Sequence, residues 1–461
     1  MNPQSLEDLL KTVKSPVELL RNSQIGPYVY PVVPREFTNW RDEQRAWQKT
    51  CVLFDQSYHM TDMYIEGPDA LKLLAATGIN NFKGFGPNKA KQFVACNYDG
   101  YVIGDAVLFG LEPNVFNLVG RPSAHNWVQY HCETGGYDAK CERDERAAAR
   151  QGGGPIVRKV YRYQVQGPNA PQVMQKATGK PVPEIKFFQM GEFAIAGRRV
   201  RALRHGMVGQ PGWELFGPWE DGEAVKAALV AAGEEFGLRQ VGSRAYSSNT
   251  LESGWIPSPM PAVYSGEKMK PYRQWLPARG YEATASLGGS FYSDNIEDYY
   301  LTPWELGYGS LINFDHDFIG REALQKLAKE PHRKKVTLQW NADDAAAIIA
   351  TFFDPKGTAG KYIDFPSAVY STLPYDKVVK NGKTVGISTW TGYSYNERSM
   401  LSLAMVDPEH AEPGTQVTLV WGEEGGGSSK PTVERHKQME ARVIVSPVPY
   451  SEVARTAYRT T

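Results

Sequence analysis

The alternation of apolar and polar residues along the chain predicts a mixed helix-and-strand fold that becomes strand-rich towards the C-terminus. Patterns typical of strands lie at 52–54, 62–65, 100–111, 115–119, 160–166, 191–203 and 213–216. Patterns typical of helices lie at 15–22, 40–49, 69–76, 221–236 and 321–328. The last third holds strand patterns at 336–340, 384–390, 401–406, 417–421 and 439–445. Pro, Gly and Asp/Asn turns separate these last strands, which indicates a small barrel or sandwich.

Local signals place several boundaries. Ser15, followed by Pro16 and then Glu18, forms a capping box that predicts a helix start, and Asn39 is a second candidate cap. The segment 142–154 is first charged, then Ala-rich and finally Gly-rich, which predicts a linker. The run 423–430 (EEGGGSSK) lacks the spacing of a phosphate-binding loop and lies between two strand patterns, so it is interpreted as a flexible hairpin tip.

Composition narrows the class of protein. The 461 residues carry 51 Lys+Arg and 51 Asp+Glu, so no net charge favours nucleic acid or an anionic membrane as a partner. A length of 461 residues fits about three domains. We find no apolar signal segment and no membrane-spanning run, and the four cysteines show no C-x-x-C spacing. The expectation is a reduced, cytoplasmic protein without a metal site.

Glu214 is the most unusual polar residue within a strand pattern. It lies between Trp213 and Leu215 in an apolar run bounded by glycines. Alternation puts its side chain on the opposite face from these two neighbours, so a solvent-facing Glu is one interpretation. The other is a buried carboxylate that accepts hydrogen bonds from adjacent N–H donors of a ligand, as on a pterin or guanine edge.

Four other segments carry candidate chemistry. Arg121 follows an apolar strand and is flanked by Gly and Pro, so it either grips a carboxylate or lies on the surface. The others are 54–60 (FDQSYHM), 25–31 (IGPYVYP) and the polar, aromatic loop 242–257. Each has an ordinary structural interpretation as a hydrogen-bonding, packing or surface segment. Together they fit a multidomain protein with a ligand pocket.

Longer motifs give a resemblance that covers almost the whole chain. The segments 166–168 (QGP), 212–215 (GWEL), 251–254 (LESG), 318–324 (FIGREAL) and 385–388 (VGIS) resemble the aminomethyltransferase superfamily. Within it, 21–26 (RNSQIG), 242–246 (GSRAY), 249–259 (NTLESGWIPSP) and 446–450 (SPVPY) resemble the tetrahydrofolate-dependent aryl O-demethylases. One departure is instructive, because the aminomethyltransferase pattern G-G-x-x-D-D reads GYVIGD at 100–105. The first carboxylate of the D-D pair is therefore absent here. That carboxylate would be needed near a cationic aminomethyl substrate, so its absence argues against glycine-cleavage chemistry.

The resemblance implies an α+β, three-domain cloverleaf around a folate channel, with a β-rich, barrel-like C-terminal domain. A discontinuous folate-binding domain would comprise 1–50 and about 150–260. Residues 51–149 would form the domain on the aromatic-substrate side. Residues from about 261 to 330 would form a connecting segment that closes the channel, and 331–461 the C-terminal domain.

The implied reaction moves the methyl group of a methoxylated aromatic acid to N5 of tetrahydrofolate, with syringate favoured over vanillate or 3-O-methylgallate. Tyr246 is the predicted general acid, because a phenol matches the pKa of a phenolate leaving group. Arg121 is expected to bind the substrate carboxylate. The resemblance places further residues on the ring substituents, namely Tyr30, Gln56, Tyr58 and His59. It places Glu214, Trp255 and, with less support, Gln164 on the folate.

Two alternatives stay open from the sequence. One is a folate-dependent demethylase or aminomethyltransferase for an amine or sulfonium substrate, which would want a carboxylate or an aromatic cage rather than Arg121. The other is a folate-binding regulatory protein without catalysis. The expected partners are the small aromatic acid and tetrahydrofolate, with the chain a monomer or weak homo-oligomer and with no nucleic acid or membrane.

Overall fold

The computed structural model describes residues 3–147, 156–257, 259–427 and 430–456. Its α-helices are α1 Leu6–Leu10, α2 Pro16–Arg21, α3 Trp40–Lys49, α4 Ala70–Thr77, α5 Pro122–Thr134, α6 Ala170–Thr178, α7 Gly222–Gly233, α8 Ser243–Tyr246, α9 Asn249–Ser253, α10 Lys270–Trp275, α11 Tyr281–Thr284, α12 Arg321–Leu327, α13 Ala342–Ala350 and α14 Glu452–Thr456. Its strands are β1 Cys51–Asp55, β2 Thr61–Glu66, β3 Lys89–Cys96, β4 Val102–Glu112, β5 Val115–Gly120, β6 Lys140–Asp144, β7 Val160–Gln166, β8 Met190–Ile195, β9 Arg198–Arg204, β10 Gly212–Pro218, β11 Leu238–Val241, β12 Leu287–Gly288, β13 Lys334–Trp340, β14 Leu373–Pro374, β15 Asp376–Lys380, β16 Lys383–Ser394, β17 Ser399–Val406, β18 Gln416–Trp421 and β19 Met439–Ser446.

The first layer is a six-stranded sheet in the order β11-β1-β7-β10-β9-β8. In the antiparallel pair β1–β7, Val52 lies opposite Gln166 and Phe54 opposite Gln164. Since side chains alternate along a strand, the two glutamines share one face of β7 and Val165 points to the other. Apolar residues of α6 and α7 pack on the Val165 face. Helix α3 packs against Val52 and Phe54 on the face that carries the glutamines, which is called the polar face below.

The second layer is a five-stranded sheet in the order β3-β4-β5-β2-β6. Its outer face packs against α4 and α5, and its inner face meets the polar face of the first sheet. Phe109 and Phe216 contact each other there with ring centroids 5.5 Å apart. The Arg162 guanidinium lies 5.0 Å from the centroid of each ring. The two sheets thus enclose an arginine between their aromatic residues.

A buried ion network fixes these two sheets to one another. Arg162 donates to Asp62 at 2.7 Å and to Glu214 at 2.7 Å. Arg158 donates to Asp62 at 3.1 Å and to Asp144 at 3.0 Å. Removing one partner of a buried charge pair typically costs about 3–5 kcal/mol, because the other charge is then left uncompensated. The network therefore links the two sheets through buried ion pairs.

The C-terminal region contains a closed barrel in the order β13-β17-β16-β15-β18-β19. Trp340 and Trp421 pack inside it with centroids 5.6 Å apart. Glu252 of α9 connects the barrel to the N-terminal half, since it accepts from Trp47 at 2.9 Å and from Ser394 at 2.7 Å. The expected α+β fold with a β-rich, barrel-like C-terminal domain is confirmed. The division into domains stays a prediction.

Three local expectations need correction. Glu423 and Lys430 are buried and Glu423 pairs with Lys361 at 3.1 Å, so both ends of the expected flexible tip are packed, and its residues 428 and 429 lie outside the described residues. The expected linker begins inside β6, and its residues 148–154 lie outside the described residues. Helix α5 follows Arg121 directly, where the sequence predicts no helix. Among the described residues, no helix is long and apolar enough to span a membrane.

Candidate functional site

The candidate site lies at the C-terminal end of β1, next to α8. The Tyr246 hydroxyl lies 2.9 Å from Nε2 of His59 and accepts from Nε2 of Gln56 at 3.2 Å. The backbone N–H of Gln56 donates to the carbonyl of Arg162, which continues the β1–β7 pairing one residue beyond the strand. One hydrogen-bonded group therefore contains three of the predicted site residues, namely Gln56, His59 and Tyr246.

Tyr30 joins this group from the irregular N-terminal segment. Its ring centroid lies 4.8 Å from that of His59 and 5.0 Å from that of Tyr246. Burial raises the pKa of Tyr30 to about 12 and the pKa of Tyr246 well above its usual value of 10. Both phenols therefore keep their protons throughout the physiological pH range. The Tyr246 ring also packs edge-on against Phe54 at 5.4 Å, which fixes the position of its hydroxyl.

Arg121 supplies positive charge to the same place. It caps the N-terminus of α5 directly after β5, and Pro122 occupies the first turn of that helix. Among the described residues its guanidinium has no carboxylate within ion-pair distance. Burial, followed by the charge of Arg121, lowers the pKa of His59 to about 3. His59 is therefore neutral at physiological pH, and the pocket is suited to an anion.

Glu214 is buried and paired, so its interpretation as a solvent-facing residue is wrong. It is 5% exposed, and one of its oxygens accepts from Arg162 at 2.7 Å. Burial raises the pKa of Glu214, whereas the Arg162 charge acts in the opposite direction. The other carboxylate oxygen accepts no hydrogen bond from the described residues. This leaves a fixed acceptor on the polar face of the first sheet.

Trp255 belongs to a second hydrogen-bonded group that the sequence does not identify as such. Asp105 receives three donors on one oxygen, from Gln92 at 2.7 Å, Tyr308 at 2.6 Å and Trp255 at 3.1 Å. The Trp255 side chain nonetheless stays 40% exposed, which leaves apolar ring surface available. The only sequence signal for Asp105 is that it keeps the second carboxylate of the GYVIGD segment. Tyr308 carries no signal, because it is 203 residues from Asp105 in sequence.

Three buried amide atoms between these groups have no hydrogen-bond partner among the described residues. They are Oε1 of Gln56, Oε1 of Gln164 and Nε2 of Gln166. The opposite ends of two of these amides are anchored to a neighbouring loop, Gln164 to the His205 carbonyl at 2.8 Å and Gln166 to the Met207 N–H at 2.7 Å. Orphaned buried polar atoms are costly unless a ligand or water satisfies them. A pterin, which has both donors and acceptors on its edge, fits this set.

Tyr58 lies apart from the group around Tyr246. Its ring packs against Trp219 with centroids 5.8 Å apart. Its pKa rises to about 12, through burial first and then through the charges of Asp55 and Glu223. Tyr30, Gln56 and His59 lie together around Tyr246. Tyr58 makes its ring contact with Trp219 instead. In the described part of the chain, no three His, Cys, Asp or Glu side chains are grouped so that they could hold a metal ion.

Comparison with known proteins shows which family the chain resembles. The model of the GCVT N-terminal domain matches residues 22–258. The chain is 56% identical to syringate O-demethylase of Sphingobium sp. (strain NBRC 103272 / SYK-6), over 98% of this chain and 97% of the relative. It is 29% identical to sesamin methylene transferase of Sinomonas sp. (strain No.22), over 91% of each chain.

A solved structure supports the fold. The glycine cleavage system aminomethyltransferase T from Bartonella henselae superposes with a TM-score of 0.60 at 18% identity, covering 93% of this chain and 92% of that one. The sequence and structural matches both extend over nearly the full length of the chain. The protein therefore belongs to the GCVT family of aminomethyltransferase-like proteins, within the branch that includes syringate O-demethylase.

Proposed function

We propose that the protein is a tetrahydrofolate-dependent O-demethylase of methoxylated aromatic acids. It transfers the methyl group of an aryl ether to N5 of tetrahydrofolate and releases a phenol and 5-methyltetrahydrofolate. Syringate is the favoured substrate, ahead of vanillate or 3-O-methylgallate, which are acids of the kind released from lignin. The 56% identity to syringate O-demethylase over 98% of the chain supports this choice.

The observation that carries the proposal is a protonated phenol on which the charge of a guanidinium acts, and this guanidinium has no carboxylate partner among the described residues. The Tyr246 hydroxyl is held by Gln56 and His59, at 3.2 and 2.9 Å, and the Arg121 charge acts on both Tyr246 and His59. A methoxylated aromatic acid presents the complementary pair, a carboxylate and an ether oxygen across a flat ring. Arg121 would bind the carboxylate, and Tyr30 would pack on the ring.

The folate would lie on the polar face of the first sheet. Glu214 would accept from the pterin N–H edge through the oxygen that Arg162 leaves free, and Gln164 would contribute its unpartnered amide oxygen. Trp255 would pack its exposed ring on the folate. Tetrahydrofolate, when bound, would supply N5 as the nucleophile, which gains the methyl group and gives up its own proton, and this loss balances the proton gained by the phenolate.

Tyr246 would handle the charge that develops on the ether oxygen. As the carbon–oxygen bond breaks, its electron pair stays on oxygen, and the resulting phenolate needs a proton or a strong hydrogen bond. Burial raises the pKa of Tyr246 well above that of a free phenol, so the matched pKa expected from the sequence does not hold in the resting site, and Tyr246 keeps its proton until that charge appears. His59 is neutral, so its Nε2 can accept from Tyr246 in the resting site without competing as an acid.

The alternatives that the sequence leaves open fit this pocket less well. A cationic amine or sulfonium substrate would lie beside Arg121, whose charge is not neutralised by a neighbouring carboxylate in the described residues. A regulatory protein without catalysis would not need an ordered Gln56–Tyr246–His59 group. We further propose a cytoplasmic protein, active as a monomer or weak homo-oligomer, that acts without nucleic acid, membrane or metal.

The proposal is tested by incubating the purified protein with tetrahydrofolate and a panel of methoxybenzoates. We expect stoichiometric formation of 5-methyltetrahydrofolate and of the demethylated phenol, with no product when either reactant is omitted. Turnover of methylated amines in place of the aromatic acids would contradict the proposal. Tight folate binding without any methylated product would instead support the regulatory alternative.

A further inference from the structure

Arg146 is a second guanidinium near the pocket, outside every role assigned above. It lies two residues after β6, with its Cζ 4.5 Å from the centroid of the Tyr28 ring and 5.4 Å from that of the Tyr281 ring. Tyr28 in turn packs edge-on against Tyr30 at 5.6 Å. Arg146 is therefore separated by one aromatic ring from the residue that borders His59 and Tyr246.

The backbone around Arg146 is held in place on both sides. Its N–H donates to the Thr61 hydroxyl at 3.3 Å, and the next N–H, of Ala147, donates to the Tyr58 carbonyl at 2.8 Å. The Tyr28 hydroxyl donates to the Ala147 carbonyl at 2.7 Å. These hydrogen bonds thus hold both the Tyr28 ring and the backbone at Arg146. Such anchoring lowers the entropy that a long side chain loses when it binds a ligand.

Among the described residues, Arg146 has no anionic partner. All Asp and Glu side chains of the chain lie within the described residues, and none is within ion-pair distance of Arg146. The adjacent Glu145 is already engaged, by Arg143 at 3.2 Å and by Thr61 at 3.1 Å. Arg146 and Arg121 both act on His59 and Tyr30, in each case lowering the pKa of the group. Two unpaired like charges that act on one pocket favour the entry of an anion.

We infer that Arg146 is a second carboxylate-recognition residue, which acts with Arg121 on the anionic end of the aromatic acid. The inference deepens the proposed function and rests on it. Arg146 contributes by binding the carboxylate and orienting the acid. Tyr246 lies at the other end of the row of rings formed by Tyr28, Tyr30 and Tyr246. The guanidinium lies over the rings of Tyr28 and Tyr281, and contact with aromatic rings is an environment that favours Arg over Lys.

The test is Arg146→Gln, assayed with syringate and with the matching primary carboxamide, which keeps the ring and the ethers and lacks the charge. We expect the KM for the acid to rise about tenfold or more, as for loss of one charge-assisted hydrogen bond, with kcat within about threefold. The KM for the carboxamide should change by less than about threefold under the same principle. Arg146→Lys should restore only part of the affinity for the acid.

Arg41→Gln is the matched control. It also removes a guanidinium stacked on an aromatic ring, 5.2 Å from the Trp40 centroid, but on an exposed face of α3. This control should leave both substrates unaffected. Equal losses for acid and carboxamide in Arg146→Gln would show a merely structural role and overturn the inference, as would an unchanged KM for the acid.

Direct binding separates this inference from the proposed function. Calorimetric titration of the protein with syringate alone should give a weaker Kd for Arg146→Gln than for the unaltered chain, and the same Kd for Arg41→Gln. If the unaltered protein binds the acid but yields no methylated folate, the proposed function fails and the titration still decides the role of Arg146. If the unaltered protein does not bind the acid at all, both fail.

Discussion

Replacing Tyr246 with Phe tests the proposed chemistry at a single atom. The substitution keeps the ring, whose centroid packs 5.0 Å from Tyr30 and 5.4 Å from Phe54, so the local packing survives. It removes the hydroxyl that contacts His59 at 2.9 Å and Gln56 at 3.2 Å. Gln56 retains a contact to the Met207 sulfur at 3.1 Å. The expected loss of stability is about 1 kcal/mol for each hydrogen bond removed.

The expected loss of activity is much larger than this loss of stability. General acid catalysis contributes about 10²–10⁴ in rate, and a phenolate leaving group without a proton donor forfeits that factor. We therefore expect kcat for methyl transfer to fall by about 10² or more. The Kd for tetrahydrofolate should stay within about threefold, because the proposed folate contacts of Glu214 and Trp255 are untouched.

The assay follows 5-methyltetrahydrofolate and the phenol product by chromatography, with folate binding measured by titration. Tyr272→Phe is the matched control, since its buried hydroxyl has no hydrogen-bond partner among the described residues and lies in the core against Trp127. This control should retain full activity. If Tyr246→Phe also turned over within threefold of the unaltered enzyme, Tyr246 would have no role in protonating the leaving group.

Three further outcomes follow from the same geometry. Arg121→Gln should raise the KM for the acid by about tenfold or more. It should also raise the pKa of His59, as measured by NMR, because a nearby positive charge is lost. An unchanged KM would discard the assignment of Arg121 to the carboxylate. Glu214→Gln should weaken tetrahydrofolate binding by about tenfold, from loss of a charged acceptor, with little change in the KM for the acid; unaltered folate binding would remove Glu214 from the folate site. His59, with its pKa lowered to about 3, should destabilise the folded state as pH falls from about 6.5 towards 3, since the unfolded chain takes up the proton first. Denaturant unfolding between pH 7 and 4 should therefore show a steeper loss of stability for the unaltered protein than for His59→Gln, and identical slopes would contradict this assignment.

Sequence patterns predicted correctly the helix starts that depend on capping residues and the strand that depends on alternation. The Ser15 hydroxyl accepts from Glu18 N–H at 3.2 Å, and Asn39 accepts from Asp42 N–H at 3.0 Å, as the capping signals indicate. Alternation likewise predicted the core of β10, and its observed bounds differ by two residues or fewer. Helix α5 was missed because residues 122–128 are buried on every side, which removes the amphipathic period on which prediction depends.

The environment of Glu214 could not be predicted because its partner is distant in sequence. Arg162 precedes it by 52 residues, and the Asp62 that holds Arg162 precedes Arg162 by 100. Pairing of β7 with β10 brings Arg162 beside Glu214, and packing of the second sheet on the first brings Asp62 to Arg162. The candidate residues themselves were available from the resemblance, whereas the displacement of Tyr58 towards Trp219 and the gathering of donors on Asp105 needed the tertiary structure.

The central claim is methyl transfer from an aromatic ether to folate, and isotope labelling tests it most directly. Syringate carrying ¹³C in its methoxy groups is incubated with the protein and unlabelled tetrahydrofolate, and the products are read by NMR and mass spectrometry. The account predicts that the label appears in the N5-methyl group of 5-methyltetrahydrofolate, in equal amount to the phenol formed. Label that stays in the aromatic acid, or that is released as methanol or formaldehyde, would contradict it.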